Sequence, residues 1–183
     1  MPITEKIGFL GGGAMAEALL AGIINSGLLP PGKLYVSDLQ PERLAHLKNK
    51  LGINIVKGNT ELVQQVDIVV LAVKPFVLSD ILEDVGESVT SEQLVISIAA
   101  GISTPYIEKY LKPGVPVIRV MHNTPCLLGE GALAVAGGKN SLPEHHEKVE
   151  EICSSVGTVV LVKENLMDAV TGVSGSGPAY MYL

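Results

Sequence analysis

A doubly wound α/β fold, a mostly parallel sheet with helices on both faces, is predicted by three observations in this 183-residue sequence. The apolar start Lys6-Ile7-Gly8-Phe9-Leu10 breaks into Gly11-Gly12-Gly13 and then into residues that favour helix. Nearly unbroken apolar runs of strand length recur at Asp67 to Val73 and Leu94 to Ile98, as expected of parallel strands covered on both faces. Helix-spaced apolar stripes alternate with the strands.

The first element is the strand ending at Leu10, and the glycines after it fit the opening of G-x-G-x-x-G/A, with Ala16 in the third small position. Gly11 permits a sharp turn, and Gly13 leaves no Cβ to obstruct a pyrophosphate. The N–H groups and positive dipole end of the next helix face such an anion. That helix runs from Ala14 to Ser26, with Met15, Leu19, Leu20, Ile23 and Ile24 on its apolar face and Gly27 as its stop. Leu34 to Asp38 follows as a strand ending in an acid, at the spacing of a ribose-binding carboxylate. Strand, glycine turn, helix, strand and acid make a Rossmann-type unit that is expected to bind a dinucleotide.

Pro41 opens the next helix, whose Leu44, Leu47 and Leu51 form a buried stripe that Gly52 ends. Ile53 to Val56 is a third strand. Asn59 either caps a short helix through Val66 or contacts the adenosine half of a cofactor. Asp67 to Val73 is a central strand followed by Lys74-Pro75, where the lysine is either a solvated charge or a cation over the cofactor. Leu94 to Ile98 runs into Ala99-Ala100-Gly101, small residues that leave room for a planar ring. A helix from Thr104 ends before Pro113, and Val117 to Met121 is the next strand. It delivers His122-Asn123-Thr124-Pro125 to the carboxyl edge of the sheet, where ligands of open parallel sheets collect. His122 is the one residue there that titrates near neutral pH, and a loop histidine without a visible partner is more often incidental. Strands at Ala132 to Ala136 and Val159 to Val162 flank a helix from Pro143 to Ser155. In that helix His145 and His146 belong to a solvated polar face. The stretch Asp168 to Tyr180, rich in glycine and serine, reads as a hinge that opens a new helix.

The net charge of −6 excludes a basic nucleic-acid surface. The 4% aromatic content offers no stacking platform for single strands. No apolar run is long enough to span a bilayer and no secretory signal is visible, so the expected location is the cytoplasm. With two cysteines, Cys126 and Cys153, and no Cys/His cluster, neither a structural disulfide nor a metal site is expected.

The set Gly11-x-Gly13-x-Met15-Ala16, Ala72-Val73-Lys74-Pro75, Ala99-Ala100-Gly101, Arg119-x-Met121-x-Asn123-Thr124-Pro125 and Asp168 to Tyr180 closely resembles pyrroline-5-carboxylate reductase. The resemblance covers essentially the whole chain. It implies an NAD(P)H-dependent oxidoreductase that reduces the C=N bond of 1-pyrroline-5-carboxylate to L-proline, the last step of proline biosynthesis. By matching positions, Leu10, Gly11, Gly12, Gly13, Ala14 and Met15 serve the pyrophosphate, and Asp38 and Asn59 the adenosine ribose. Val73, Lys74, Pro75, Ala99 and Ala100 lie along the cofactor, and Asn123, Thr124 and Pro125 lie by the nicotinamide. No catalytic residue is assigned.

The resemblance divides the chain into a dinucleotide-binding domain, residues 1–163, and a hinge with the start of a helical dimerisation and substrate domain, residues 164–183. The rest of that domain, which carries the substrate loop in the family, is absent, so the 183-residue chain alone is expected to be inactive and the parent a homo-oligomer. Many members have Ser, Thr or Asn at the position of Asp38. A carboxylate there favours NADH over NADPH unless Arg43 or Lys33 compensates. Two other classes compete: a relative among the β-hydroxyacid dehydrogenases, which lack the Ser174 to Tyr180 hinge, and a non-catalytic dinucleotide-binding module.

Overall fold

In the computed structural model, which describes residues 3–181, one eight-stranded sheet runs in the order β3-β2-β1-β4-β5-β6-β7-β8. The strands are β1 Ile7–Leu10, β2 Leu34–Ser37, β3 Asn54–Ile55, β4 Ile68–Leu71, β5 Leu94–Ser97, β6 Val117–Met121, β7 Gly131–Gly137 and β8 Gly157–Leu161. The helices are α1 Ala14–Asn25, α2 Pro41–Leu51, α3 Asn59–Val63, α4 Leu78–Val85, α5 Thr104–Glu108, α6 Pro143–Ser154, α7 Met167–Val170 and α8 Gly177–Tyr180. The pairs among β1 to β6 are all parallel. The expected doubly wound sheet is present. Its one antiparallel pair, β6 with β7, follows from the short connection 122–130, since a parallel return needs a crossover of a dozen or more residues. Helix α6 then supplies such a crossover, and β8 pairs parallel to β7.

Successive residues of a strand face opposite sides, so each central strand feeds two cores. Ile7 and Phe9 of β1, Ile68 and Val70 of β4 and Ile118 and Val120 of β6 pack under α1, α2 and α6. Val69 and Leu71 of β4 and Val95 of β5 pack under α3, α4 and α5. Cys126 and Cys153 are free thiols buried in the first core.

Helix α1 ends as expected: Gly27 takes a φ of 74°, and the N–H of Leu28 reaches back to the Ile23 carbonyl at 3.1 Å. Helix α4, which the sequence reading passes over, buries Leu78, Leu82 and Val85 at helical spacing and supplies the crossover between β4 and β5. The third strand is shorter than Ile53 to Val56, although the Val56 N–H still donates to the Val36 carbonyl at 2.9 Å. His145 and His146 are half-buried rather than on a solvated face. His145 Nδ1 accepts the Leu142 N–H at 3.0 Å, closing the first turn of α6, and His146 Nε2 lies 3.3 Å from Ser141 Oγ.

The stretch read as a glycine-serine hinge is helical. Residues Thr171–Gly175 form a widened π turn between α7 and α8, with the Ser176 N–H bonded to the Thr171 carbonyl at 2.8 Å. Thr171 Oγ1 donates to the Met167 carbonyl at 2.8 Å, a side-chain bond that loosens the regular ladder here. Met167 is fully buried against Met121, Ala134 and Ala136, which docks this segment on β6 and β7.

Candidate functional site

The three glycines after β1 do different work. Gly11 has a φ of 100°, and a Cβ there would lie 2.6 Å from the Ala72 carbonyl oxygen and 2.9 Å from Val73 Cγ1. Only glycine fits that turn against the end of β4. Its N–H donates to the Ser37 carbonyl at 2.8 Å, tying the turn to β2. Gly12 is buried, and its N–H donates to Asp38 Oδ2 at 2.7 Å. Gly13 has an ordinary backbone conformation, with φ −64° and ψ −179°, and a Cβ there would meet nothing within 4 Å. As the residue before α1 it brings no side-chain cap, so the first-turn N–H groups of the helix are left to something else. Leu10 is buried in the core under α3, α4 and α5, Met15 is half-buried against the core under α1, α2 and α6, and Ala14 is exposed.

Asp38 stands just past β2. One of its carboxylate oxygens accepts from Gly12 and the other from the Gln40 N–H at 2.9 Å, leaving free lone pairs on both. Arg43, in the first turn of α2, folds back over the glycines. Its Nε donates to the Gly12 carbonyl, its Nη2 to the Gly13 carbonyl at 3.3 Å, and Nη2 also pairs with Glu17 of α1. Glu17 further receives Lys50 Nζ at 2.7 Å and His46 Nε2 at 3.3 Å. The Lys50 hydrogen bond, helped by Arg43 and His46 and opposed by burial, holds the Glu17 carboxyl down from 4.5 to about 2. Lys33 does not reach this edge. Its ammonium donates to the Thr4 carbonyl at 2.8 Å, before the start of β1, which removes it as the expected partner of a ribose phosphate.

Asn59 does not cap α3. Gly58 is the cap residue, and the Asn59 carboxamide instead accepts from Ser37 Oγ at 2.8 Å and donates to Asp84 at 3.3 Å, joining β2 to the end of α4 beside Asp38. Val73 lies under Gly11, and Lys74 and Pro75 lead into a turn of 3-10 helix at Pro75–Val77. Ala99 is buried and Ala100 exposed at the end of β5, where Gly101 turns the chain with a φ of 74°.

Beyond β6, Asn123 is spent on structure: Oδ1 accepts the Ala132 N–H at 2.9 Å and Nδ2 donates to Ser174 Oγ at 3.1 Å. Thr124 and Pro125 are exposed in the 3-10 turn Thr124–Leu128, which packs against α1. The ends of β1, β4, β5 and β6 therefore carry their loops to one edge of the sheet, on the β4 side of the point where strand order reverses at β1. His122 is largely buried with Nδ1 unpaired among the described residues, and burial lowers its pKa.

Sequence reading missed the clamp that holds the 164–175 segment. Arg119 of β6 is 3% exposed, its Nη2 lies 3.2 Å from Asp168 Oδ1 and its Nη1 3.8 Å from Glu164 Oε1. Glu164 also accepts the Thr104 N–H at 2.6 Å and the Thr104 hydroxyl, closing the start of α5. Missed too were Leu39 and Phe76, 93% and 81% exposed in the loops that follow β2 and β4. Leu39, a lone apolar residue between Asp38 and Gln40, carried a signal, whereas Phe76 stands next to Val77 and Leu78 and gave none.

Residues 6–101 match the family described as NADP oxidoreductase, coenzyme F420-dependent. The chain is 46% identical to a pyrroline-5-carboxylate reductase of Methanosarcina acetivorans, over 98% of its own length and 66% of that protein's. Among solved structures, a pyrroline-5-carboxylate reductase from Coxiella burnetii superposes with a TM-score of 0.92 at 34% identity, over 98% of this chain and 67% of that one. The pyrroline carboxylate reductase of Plasmodium falciparum, solved with NADP bound, gives a TM-score of 0.86 at 34% identity, over 98% of this chain and 65% of that one. The chain thus spans about two thirds of the length of these relatives. A glycine turn closed on Ala72 and an open helix start at Gly13 agree with this likeness in sequence and in fold, and the chain belongs to the pyrroline-5-carboxylate reductase family.

Proposed function

We propose that this chain is the dinucleotide-binding part of an NAD(P)H-dependent pyrroline-5-carboxylate reductase. The observation that carries the proposal is the space at Gly13. The fold does not need a glycine there, since a Cβ would meet nothing within 4 Å, yet that space lies at the uncapped N-terminus of a twelve-residue helix. Donors and a positive dipole end facing an open cradle fit a pyrophosphate. When bound, the reduced nicotinamide supplies hydride to the C=N carbon of pyrroline-5-carboxylate. The protein's task is to hold reactants in register.

In this reading the N–H groups from Gly13 to Met15 receive the pyrophosphate, while Leu10, Gly11 and Gly12 shape the turn. Asp38 offers its free lone pairs to the ribose hydroxyls, with Asn59 supporting that corner. Val73, Lys74, Pro75, Ala99 and Ala100 flank the cofactor toward β5, and Asn123 holds Thr124 and Pro125 at the nicotinamide end. Residues 1–163 form the dinucleotide domain, and residues 164–183 lead into a helical part that provides subunit contacts and the substrate's carboxylate site. A cytoplasmic homo-oligomer is the form proposed for the complete gene product. Among the described residues no helix is long and apolar enough to cross a membrane.

Calorimetric titration of the 183-residue chain with NADH and NADPH tests the proposal. Gly13→Val is expected to abolish binding while melting at the wild-type temperature, and unchanged affinity would remove the glycine turn from the site. For the reaction, pyrroline-5-carboxylate should trigger NAD(P)H oxidation by the complete gene product, and no oxidation under saturating conditions would refute the substrate.

A further inference from the structure

Arg43 passes beside the Asp38 corner, yet its guanidinium is bonded to the glycine turn and to Glu17. A Cβ on Gly12 would come within 3.4 Å of Asp38 Oδ2 and 3.5 Å of Arg43 Cγ, so the carboxylate and the arginine stem flank the same glycine. From there the side chain runs along the turn to the Gly12 and Gly13 carbonyls and ends on Glu17. Glu17 is on α1, whereas Arg43, His46 and Lys50 share one face of α2, so the carboxylate binds the two helices together through three basic groups. Its side chain is only 17% exposed, which keeps solvent from screening the pair fully.

We infer that Glu17 sets the cofactor preference of this chain by holding Arg43 on α1, away from the ribose corner at Asp38. The inference rests on the reading of Asp38 as the ribose residue. NADH presents a 2′-hydroxyl there, which needs an acceptor and finds the Asp38 carboxylate. NADPH presents a phosphate dianion, which needs a cation and meets a carboxylate instead, with the local arginine already paired. Arginine suits the planar, two-pronged recognition of phosphate, and a released Arg43 has free N–H donors on the terminal nitrogens. Glu17 is therefore a specificity residue that touches no cofactor atom. The ion pair itself is not a cofactor contact, so its loss leaves the hydroxyl site of NADH intact.

Dissociation constants for NADH and NADPH, measured by calorimetry at one ionic strength on the 183-residue chain, decide the matter. The wild-type chain is expected to favour NADH. Glu17→Gln keeps the hydrogen-bonding shape, removes the charge and should tighten NADPH about tenfold with little change for NADH, one charged contact being of that order. Glu17→Gln with Arg43→Ala should lose the gain. Arg43→Ala alone should move the NADPH-to-NADH ratio by less than about twofold, because the paired arginine does not serve the phosphate. That variant leaves Glu17 with Lys50 and His46 and gives a reading even if Glu17→Gln unfolds. A ratio unchanged in Glu17→Gln, a gain that survives Arg43→Ala, or a large selective loss of NADPH in Arg43→Ala alone would overturn the inference. Wild-type chain that binds neither cofactor would overturn the dinucleotide reading beneath it.

Discussion

At the scale of single residues, Gly11 and Gly13 are glycines for opposite reasons, and the difference is measurable. Gly11→Ala forces a Cβ against the Ala72 carbonyl at a positive φ, at a cost of at least about 2 kcal/mol. For a chain of this size that lowers the melting temperature by roughly 4–8 °C. Gly13→Ala is expected to leave it unchanged, as a substitution into open space. Both glycines were legible in the sequence because the turn is local. Glu17 was not, because its partners lie far along the chain and meet it only when α1 packs beside α2. Its pH signature follows from the depressed carboxyl. A folded pKa near 2 against 4.5 gives stabilisation that is fully present above about pH 4.5 and fades as the pH falls through about 2. Urea unfolding of wild type and Glu17→Gln should thus differ at pH 6 and converge toward pH 2, and a gap that persists at pH 2 would show that the charge is not the cause.

At the scale of elements, the segment 164–175 is fastened to the sheet at three places: Arg119 with Asp168 and Glu164, Asn123 with Ser174, and Met167 in its apolar seat. Arg119→Ala removes a buried cation and leaves Glu164 facing Thr104 alone, while Asp168, 87% exposed, stays solvated, so the cost is about 1–3 kcal/mol, that of a lost charged hydrogen bond. Because the loss is local, hydrogen exchange in 164–175 and at the start of α5 should rise well before the sheet opens. Uniform loss of protection across β1 to β6 would show Arg119 to be a general core residue instead.

The sequence reading saw this stretch as a hinge from its Gly, Ser and Pro content. Composition does not reveal that Thr171 returns a hydrogen bond to Met167 or that the turns stay helical. The short α4 escaped notice between two apolar strands, although the parallel pairing of β4 and β5 requires a crossover. Asn59 was open between cap and ligand contact. Only the positions of Ser37 and Asp84 decide that its side chain spans two elements.

At the scale of the whole molecule, the doubly wound sheet was readable because parallel strands buried on both faces leave long apolar runs, and strand order at β1 puts the loop cluster on one edge. What composition could not give is the finish of the sheet. Strand β8 is an edge with Val160 57% and Leu161 52% exposed, and Leu166, Val173, Tyr180 and Met181 are bare nearby in sequence. Leu183 lies outside the described residues. Such apolar exposure favours self-association, so light scattering should show mass rising with concentration and Val160→Lys with Val173→Lys should suppress it. A monomer at every concentration would count against this.

The two buried thiols give the molecule a chemical clock. Burial pushes the Cys153 thiol up to about 12 and raises that of Cys126, so neither is a nucleophile while its surroundings are closed. Alkylation therefore proceeds only as fast as the protein exposes them. Cys126 sits in the turn after β6 that packs on α1, and Cys153 is held in α6 close enough that the charge of Cys126 helps to raise it. A reagent offered to the folded chain thus times the opening of the one core region where the loop edge meets α6.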